Sequence, residues 1–199
     1  MKTFLAGFIA GVLAMLGIVV MNSQRSLEVG QVHAGGPETP AEPPAKVIID
    51  SRSSPRNLII PVQGVSADDI QDTFDEARGS ERKHEATDIL APRGTAVFAA
   101  DDGEIKKLFL SKPGGITLYQ FDPTGKYCYY YAHLDRYADG IREAKKVKQG
   151  GVIGYVGTTG NAPPNTPHLH FGIFKLGPEK RWWEGTPINP YPILITKMR

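Results

Sequence analysis

"NTPHLHFGI", residues 165–173, sets two of the chain's five histidines two positions apart. Side chains alternate across a strand, so an extended backbone projects His168 and His170 from one face, whereas a helix separates them by roughly 200°. The neighbours favour the strand. Leu169, Phe171, Ile173 and Phe174 are strand-prone, and the run is bounded by Pro163, Pro164 and Pro167 before it and by Gly177-Pro178 after it. A His-x-His pair alone reads equally well as two imidazoles on a solvated sheet face or as part of a metal site, so the rest of the chain has to decide.

Outward from this run the pattern repeats. "NLIIPV", "TAVFAA", "EIKKLFL", "ITLYQF" and "KYCYYYAHL" are short apolar runs separated by the turn signals Asp101-Asp102-Gly103, Pro113-Gly114-Gly115 and Asp122-Pro123-Thr124-Gly125. Short strands at this spacing predict a mainly β, antiparallel domain. One helix is expected within it, over "SADDIQDTFDEAR" (66–78), with Ser66 as N-cap and acidic residues in the first turn. The glycines of "KKVKQGGVIGYVGTTGN" (145–161) follow neither phosphate-loop order and are read as turn formers. Adjacent Trp182 and Trp183 would form a ligand-stacking platform if exposed and a core plug if buried; a strand points one ring to each face, which favours the core.

The chain has 199 residues and a net charge of +2 with scattered Lys and Arg, which excludes a nucleic-acid footprint. Residues 3–21 carry no charge and follow Lys2, long enough to cross a bilayer as a helix. A cleaved signal and a retained anchor compete for this segment; the small residues of "VHA" (32–34) lie far past its end, which favours the anchor. The expected plan is a signal-anchor or transmembrane segment at 1–24, an extended Pro-rich linker at 25–57 that contains His33, and a β domain at 58–195. Cys128 is the only cysteine, which rules out an internal disulfide or a cysteine zinc cluster and makes it a small buried apolar residue.

The remaining histidines each stand near a strand edge. His84 precedes Asp88 by four in "RKHEATDIL" (82–90), and His133 of "YYYAHLDRY" (129–137) ends the row that alternation gives to Tyr127, Tyr129 and Tyr131, either a packed sheet face or the wall of a cleft. Catalytic zinc takes three N/O ligands and keeps one position open for water. His84, Asp88 and one of His168 or His170 would supply that set, and a bound metal lowers the pKa of its water toward ~7. His133 and the other histidine of the pair are then free for proton transfer and oxyanion stabilisation.

The order of "HEATD" (84–88), "YYYAHLD" (129–135), "GGVIGYVGTTGN" (150–161) and "PHLHF" (167–171), with "LAPRGTAVFAADDGEI" (90–105), resembles the LytM/lysostaphin-type zinc metallopeptidases, which cleave peptide bonds in bacterial peptidoglycan. The resemblance runs over roughly 58–195. It implies an antiparallel β domain with a narrow metal-binding groove, Zn2+ held by His84, Asp88 and His170, and His133 and His168 as catalytic histidines. It also implies an endopeptidase acting on stem or cross-bridge peptides, with room for a regulatory protein partner. Together with the anchor it implies a single-pass protein of the bacterial inner membrane, the catalytic domain in the periplasm or otherwise outside the cytoplasmic membrane. The competing expectation is a non-catalytic wall-binding or regulatory module that activates another hydrolase; such relatives generally lack several of the site residues, and all five are present here. Two departures stand out: Ala86 occupies a position commonly Gly, and "NAPPNTP" (161–167) is a longer, proline-rich loop expected to wall the groove. Arg78 is either a surface arginine or a contact for a substrate carboxylate or carbonyl.

Overall fold

The computed structural model describes residues 57–78 and 82–196. The expected membrane segment at 1–24 and the linker as far as residue 56 lie outside the described residues. Eleven strands are described: β1 (Ala77–Arg78), β2 (Arg82–Lys83), β3 (Thr87–Leu90), β4 (Ala96–Phe98), β5 (Gly103–Ser111), β6 (Gly115–Phe121), β7 (Tyr127–Tyr137), β8 (Lys146–Val147), β9 (Val152–Val156), β10 (His168–Lys175) and β11 (Thr186–Ile188). β1 and β2 pair only with each other, and the other nine form one antiparallel sheet. Its main path runs β11-β10-β7-β6-β5-β8; β3 also pairs with β10, and β9 joins β7 to β4.

Alternation explains which side of the sheet becomes the core. Leu169, Phe171 and Ile173 of β10 and Tyr129 and Tyr131 of β7 are fully buried, packed with Ile89, Val97, Ile105, Leu118, Leu134 and Ile153. Each such side chain contributes about 1.5–3 kcal/mol on removal from water. His168 and His170, offset by one residue, therefore stand on the opposite face. A buried hydroxyl network is satisfied internally: Tyr131 Oη accepts from the Ala100 N–H and donates to Gln120 Oε1, both at 2.9 Å.

The helix expected over 66–78 does not form. Asp69 accepts hydrogen bonds from the Ser66 N–H and hydroxyl, closing a single 3₁₀ turn at Ala67–Asp69, after which the chain runs extended. Tertiary pairing overrides the local preference: the Thr73 hydroxyl accepts from the Asp88 N–H, and the Glu76 and Phe74 carbonyls accept from the His84 and Glu85 N–H groups. A short helix, α1 (Tyr191–Ile195), follows Asn189, whose side chain accepts from the Tyr191 N–H.

The tryptophans do not plug the core. They lie in a turn rather than a strand, their rings set edge to face at 5.2 Å, with Trp182 half-buried and Trp183 62% exposed on the outer side of the sheet. Cys128 is buried as expected, its sulfur 3.9 Å from the Trp182 carbonyl, and burial raises the thiol well above its ordinary range.

Candidate metal centre

The register of β3 against β10 places Asp88 directly opposite His170, and cross-strand neighbours share a face. His84 reaches the same point from just beyond β2. Glu85 at φ 55° breaks the extended run, so His84 and Asp88 converge across a kink rather than along one strand. The left-handed residue is Glu85 and not Ala86, which stands where Gly is common and is 1% exposed. The result is a triangle of donor atoms: His84 Nε2 to Asp88 Oδ1 at 2.9 Å, His84 Nε2 to His170 Nδ1 at 2.9 Å, and His170 Nδ1 to Asp88 Oδ1 at 3.0 Å.

Backbone carbonyls fix the rings around it. His84 Nδ1 lies 2.9 Å from the Thr73 carbonyl, His133 Nδ1 2.8 Å from that of Thr159, and His168 Nδ1 2.8 Å from that of Thr166. A carbonyl only accepts, so each Nδ1 is the protonated nitrogen and each Nε2 carries the lone pair when the ring is neutral. Metal-binding histidines are typically oriented by such a bond from the second ring nitrogen. His84 Nε2, with its lone pair, His170 Nδ1 and Asp88 Oδ1 thus face one another, a donor set that a cation satisfies. Burial raises the Asp88 carboxyl, but the two imidazoles against it outweigh burial and hold it well below the usual carboxylate range.

His133 reaches the groove through a break in alternation. Regular pleating would keep it on the face of Tyr131, which the structure buries in the core. Instead β7 carries a bulge opposite Thr117, between the Leu118–Tyr131 and Ile116–Leu134 pairs, and His133 sits there at φ 58°. The bulge re-aims the ring outward and returns Leu134 to the core. It lies where β7 stops pairing with β10 and begins pairing with β9. Thr159 closes it, its hydroxyl accepting from the Ile116 N–H and donating to the Leu134 carbonyl. Gly115 and Gly160 permit this closeness: a side chain on Gly115 would strike Thr159, and one on Gly160 would strike Pro113 and Gly115.

The His133 ring stands 5.0 Å from that of His168 and 5.6 Å from that of His170, and His168 Nε2 is 3.7 Å from Asp88 Oδ1. All five residues singled out from the sequence therefore meet in one groove of about 290 Å³, walled by Pro113 and Gly114 and, as expected of the 161–167 loop, by Asn161, Ala162 and Pro163. Burial pushes His133 down to about 4 and also lowers His170, where Asp88 partly opposes it. Arg78 takes a role that the sequence did not suggest: its Nη2 donates to Asp88 Oδ2 at 2.6 Å, leaving Oδ1 to the imidazoles. Thr73, Thr159 and Thr166 were likewise missed, because they act through main-chain carbonyls and only proximity in the fold reveals them.

Comparison with known proteins agrees with this geometry. The "L-Ala--D-Glu endopeptidase" of Bacillus subtilis (strain 168) is 36% identical over 129 residues, which are 61% of this chain and 38% of that protein. The "Peptidoglycan DD-endopeptidase ShyC" of Vibrio cholerae is 34% identical over 102 residues, 51% of this chain and 22% of that one. The chain thus spans well under half the length of either relative. The crystal structure of a putative glycyl-glycine endopeptidase lytM from Ruminococcus gnavus superposes with a TM-score of 0.57 at 30% identity, covering 70% of this chain and 60% of that one. Residues 82–190, more than half of the chain and the stretch that holds all five groove residues, match Peptidase family M23, and the chain belongs to that family.

Proposed function

We propose that this chain is a zinc-dependent endopeptidase that hydrolyses peptide bonds in the stem or cross-bridge peptides of peptidoglycan. The observation that carries the reading is the convergence of His84 Nε2, His170 Nδ1 and Asp88 Oδ1 in a groove that also holds two further oriented imidazoles. Two nitrogens and a carboxylate oxygen without a thiolate fit Zn2+, and three protein ligands are the number of a catalytic rather than a structural site. His84, Asp88 and His170 would hold the ion, which when bound supplies Lewis acidity that polarises a carbonyl and acidifies water.

The chain's own residues do the rest. His133 is the proton acceptor: its Nδ1 is committed to Thr159, its Nε2 is bare, and burial keeps the ring neutral at pH 7. His168, held in the same sense by Thr166, presents its Nε2 alongside. Once the ring has taken up a proton, that Nε2–H donates to the oxygen that gains negative charge or to the departing amine. The groove walls align an extended peptide and exclude bulk water. Endopeptidase names among the relatives support a peptide substrate from the cell wall. The same proposal places residues 1–24 in the inner membrane and the domain from residue 58 outside it, on the strength of the uncharged run at 3–21.

The test is the full-length protein incubated with purified peptidoglycan. New amino termini should appear, disappear with a chelator and return with Zn2+. Reducing sugar ends without new amines, or cleavage indifferent to chelation, would overturn the proposal.

A further inference from the structure

We propose that Trp182 and Trp183, with the lysine-lined hollow beside them, form a saccharide-binding platform that holds the glycan of peptidoglycan while its peptide lies in the groove; this rests on the peptidoglycan reading above. Aromatic contacts run without a gap from the metal centre to this platform. The His170 ring meets Tyr130 edge-on at 5.8 Å, Tyr130 lies 4.7 Å from Tyr119, Tyr119 lies 4.7 Å from Trp182, and Trp182 lies 5.2 Å from Trp183. Phe109 supports Trp182 from the side at 5.5 Å. An extended peptide of at most about six residues covers that path at ~3.3–3.6 Å per residue. A short peptide in the groove therefore brings its parent sugar over the indoles.

The packing of this surface is that of a site rather than of a core. Trp182 is braced by two rings, while Trp183 leaves most of its surface to solvent. Exposed large aromatics continuous with a functional groove mark a binding surface. Next to Trp182 opens a hollow of about 790 Å³ lined by Glu104, Thr124, Lys146 and Lys180 among others. That volume falls in the ~300–1,000 Å³ range of small-ligand sites. Lys106 and Lys148 are engaged by Glu104 and Asp102, whereas Lys146 and Lys180 have no carboxylate partner among the described residues. A sugar ring offers a C–H face to an indole, and its hydroxyl and acetamido groups bond to ammonium, hydroxyl and carboxylate groups alike. The lining of the hollow mixes Asp102, Glu104 and Asp122 with four lysines, donors and acceptors that a neutral, polyhydroxylic ligand takes up together.

These are the chain's only two tryptophans, so intrinsic fluorescence reports on the platform directly. The experiment titrates the full-length protein with chitotetraose, an oligomer of N-acetylglucosamine, and separately with phosphatidylglycerol vesicles. The saccharide should change the emission saturably. Trp183→Ala should weaken the apparent Kd by about tenfold, the scale of one lost stacking contact, while Trp183→Phe keeps most of the affinity. Absence of a saccharide response, equal affinity in Trp183→Ala, or a response to vesicles alone would overturn the proposal. The same preparations are assayed for chelator-sensitive amine release. Saccharide binding without any release would remove the peptidase reading and leave the platform standing, whereas release without saccharide binding would remove only the platform.

Discussion

Gly157 offers a sharp test of how the fold positions His133. It lies just past β9, bridges to His168, and has no left-handed φ, so any effect of a side chain there is steric. A Cβ at this position would stand 2.4 Å from the Asp135 nitrogen, 2.7 Å from the Asp135 Cα and 2.7 Å from the His133 carbonyl oxygen. All three are main-chain atoms that cannot rotate away. Relieving such contacts moves the bulge of β7 by about 1 Å, and a displacement of that size at a catalytic group costs on the order of 10²-fold in rate. Overpacking of this kind also destabilises by about 1–3 kcal/mol, a melting shift of very roughly 2–12 °C for a chain of this size. Gly157→Ala should therefore fold, retain zinc and lose kcat on a peptidoglycan-derived peptide. The control is Gly154→Ala in β9, where the nearest atoms are the Arg136 carbonyl at 3.1 Å and a Leu134 methyl at 3.2 Å that can give way. Wild-type kcat in Gly157→Ala, or an equal loss in Gly154→Ala, would refute the reasoning.

Three further outcomes are expected. Tyr131→Phe strands the Ala100 N–H and Gln120 Oε1 in the core, and at ~1–3 kcal/mol per orphaned group the unfolding free energy from a urea titration should fall by about 2–6 kcal/mol with unchanged m; a loss under about 1 kcal/mol would contradict the network. Arg78→Ala removes the bond that turns Asp88, but Arg78 is half-exposed, so stability should change by no more than ~1 kcal/mol while zinc affinity falls by about 10–100-fold in a competition titration; unchanged affinity would refute the assignment. His133 titrates at about 4 when folded and at ~6.5 when unfolded, so the unfolded chain binds more protons between these values. Its contribution is present above pH ~6.5 and lost as pH falls toward 4, on the order of 3 kcal/mol in all. With chelator present, His133→Gln should show a correspondingly shallower acid destabilisation, and an identical pH profile would argue that the ring is not held neutral by burial.

Much of this was legible in the sequence because it rests on short-range rules. The flanking prolines and the strand-prone neighbours of "HLHFGIF" specify β10, and period-two alternation then separates the two histidines from Leu169, Phe171 and Ile173. The same rule failed at His133, since a bulge depends on the pairing of β6 with β7 and on Thr159 arriving from 26 residues away. The 66–78 segment carries a sound N-cap, but the His84 and Glu85 N–H groups claim its Glu76 and Phe74 carbonyls, and the Asp88 N–H claims the Thr73 hydroxyl. The tryptophans misled for a related reason: alternation presumes a strand, and they sit in a turn whose support comes from Tyr119 and Phe109 on other strands. Carbonyl contacts such as that of Thr73 leave no mark on residue type at all.

The most direct test of the central claim is zinc content per chain in the wild type, His170→Ala and His133→Ala, each purified from zinc-supplemented medium and assayed on peptidoglycan. The account predicts about one zinc in the wild type and in His133→Ala, little in His170→Ala, and hydrolysis in the wild type alone. Full zinc in His170→Ala, or undiminished hydrolysis in His133→Ala, would contradict it.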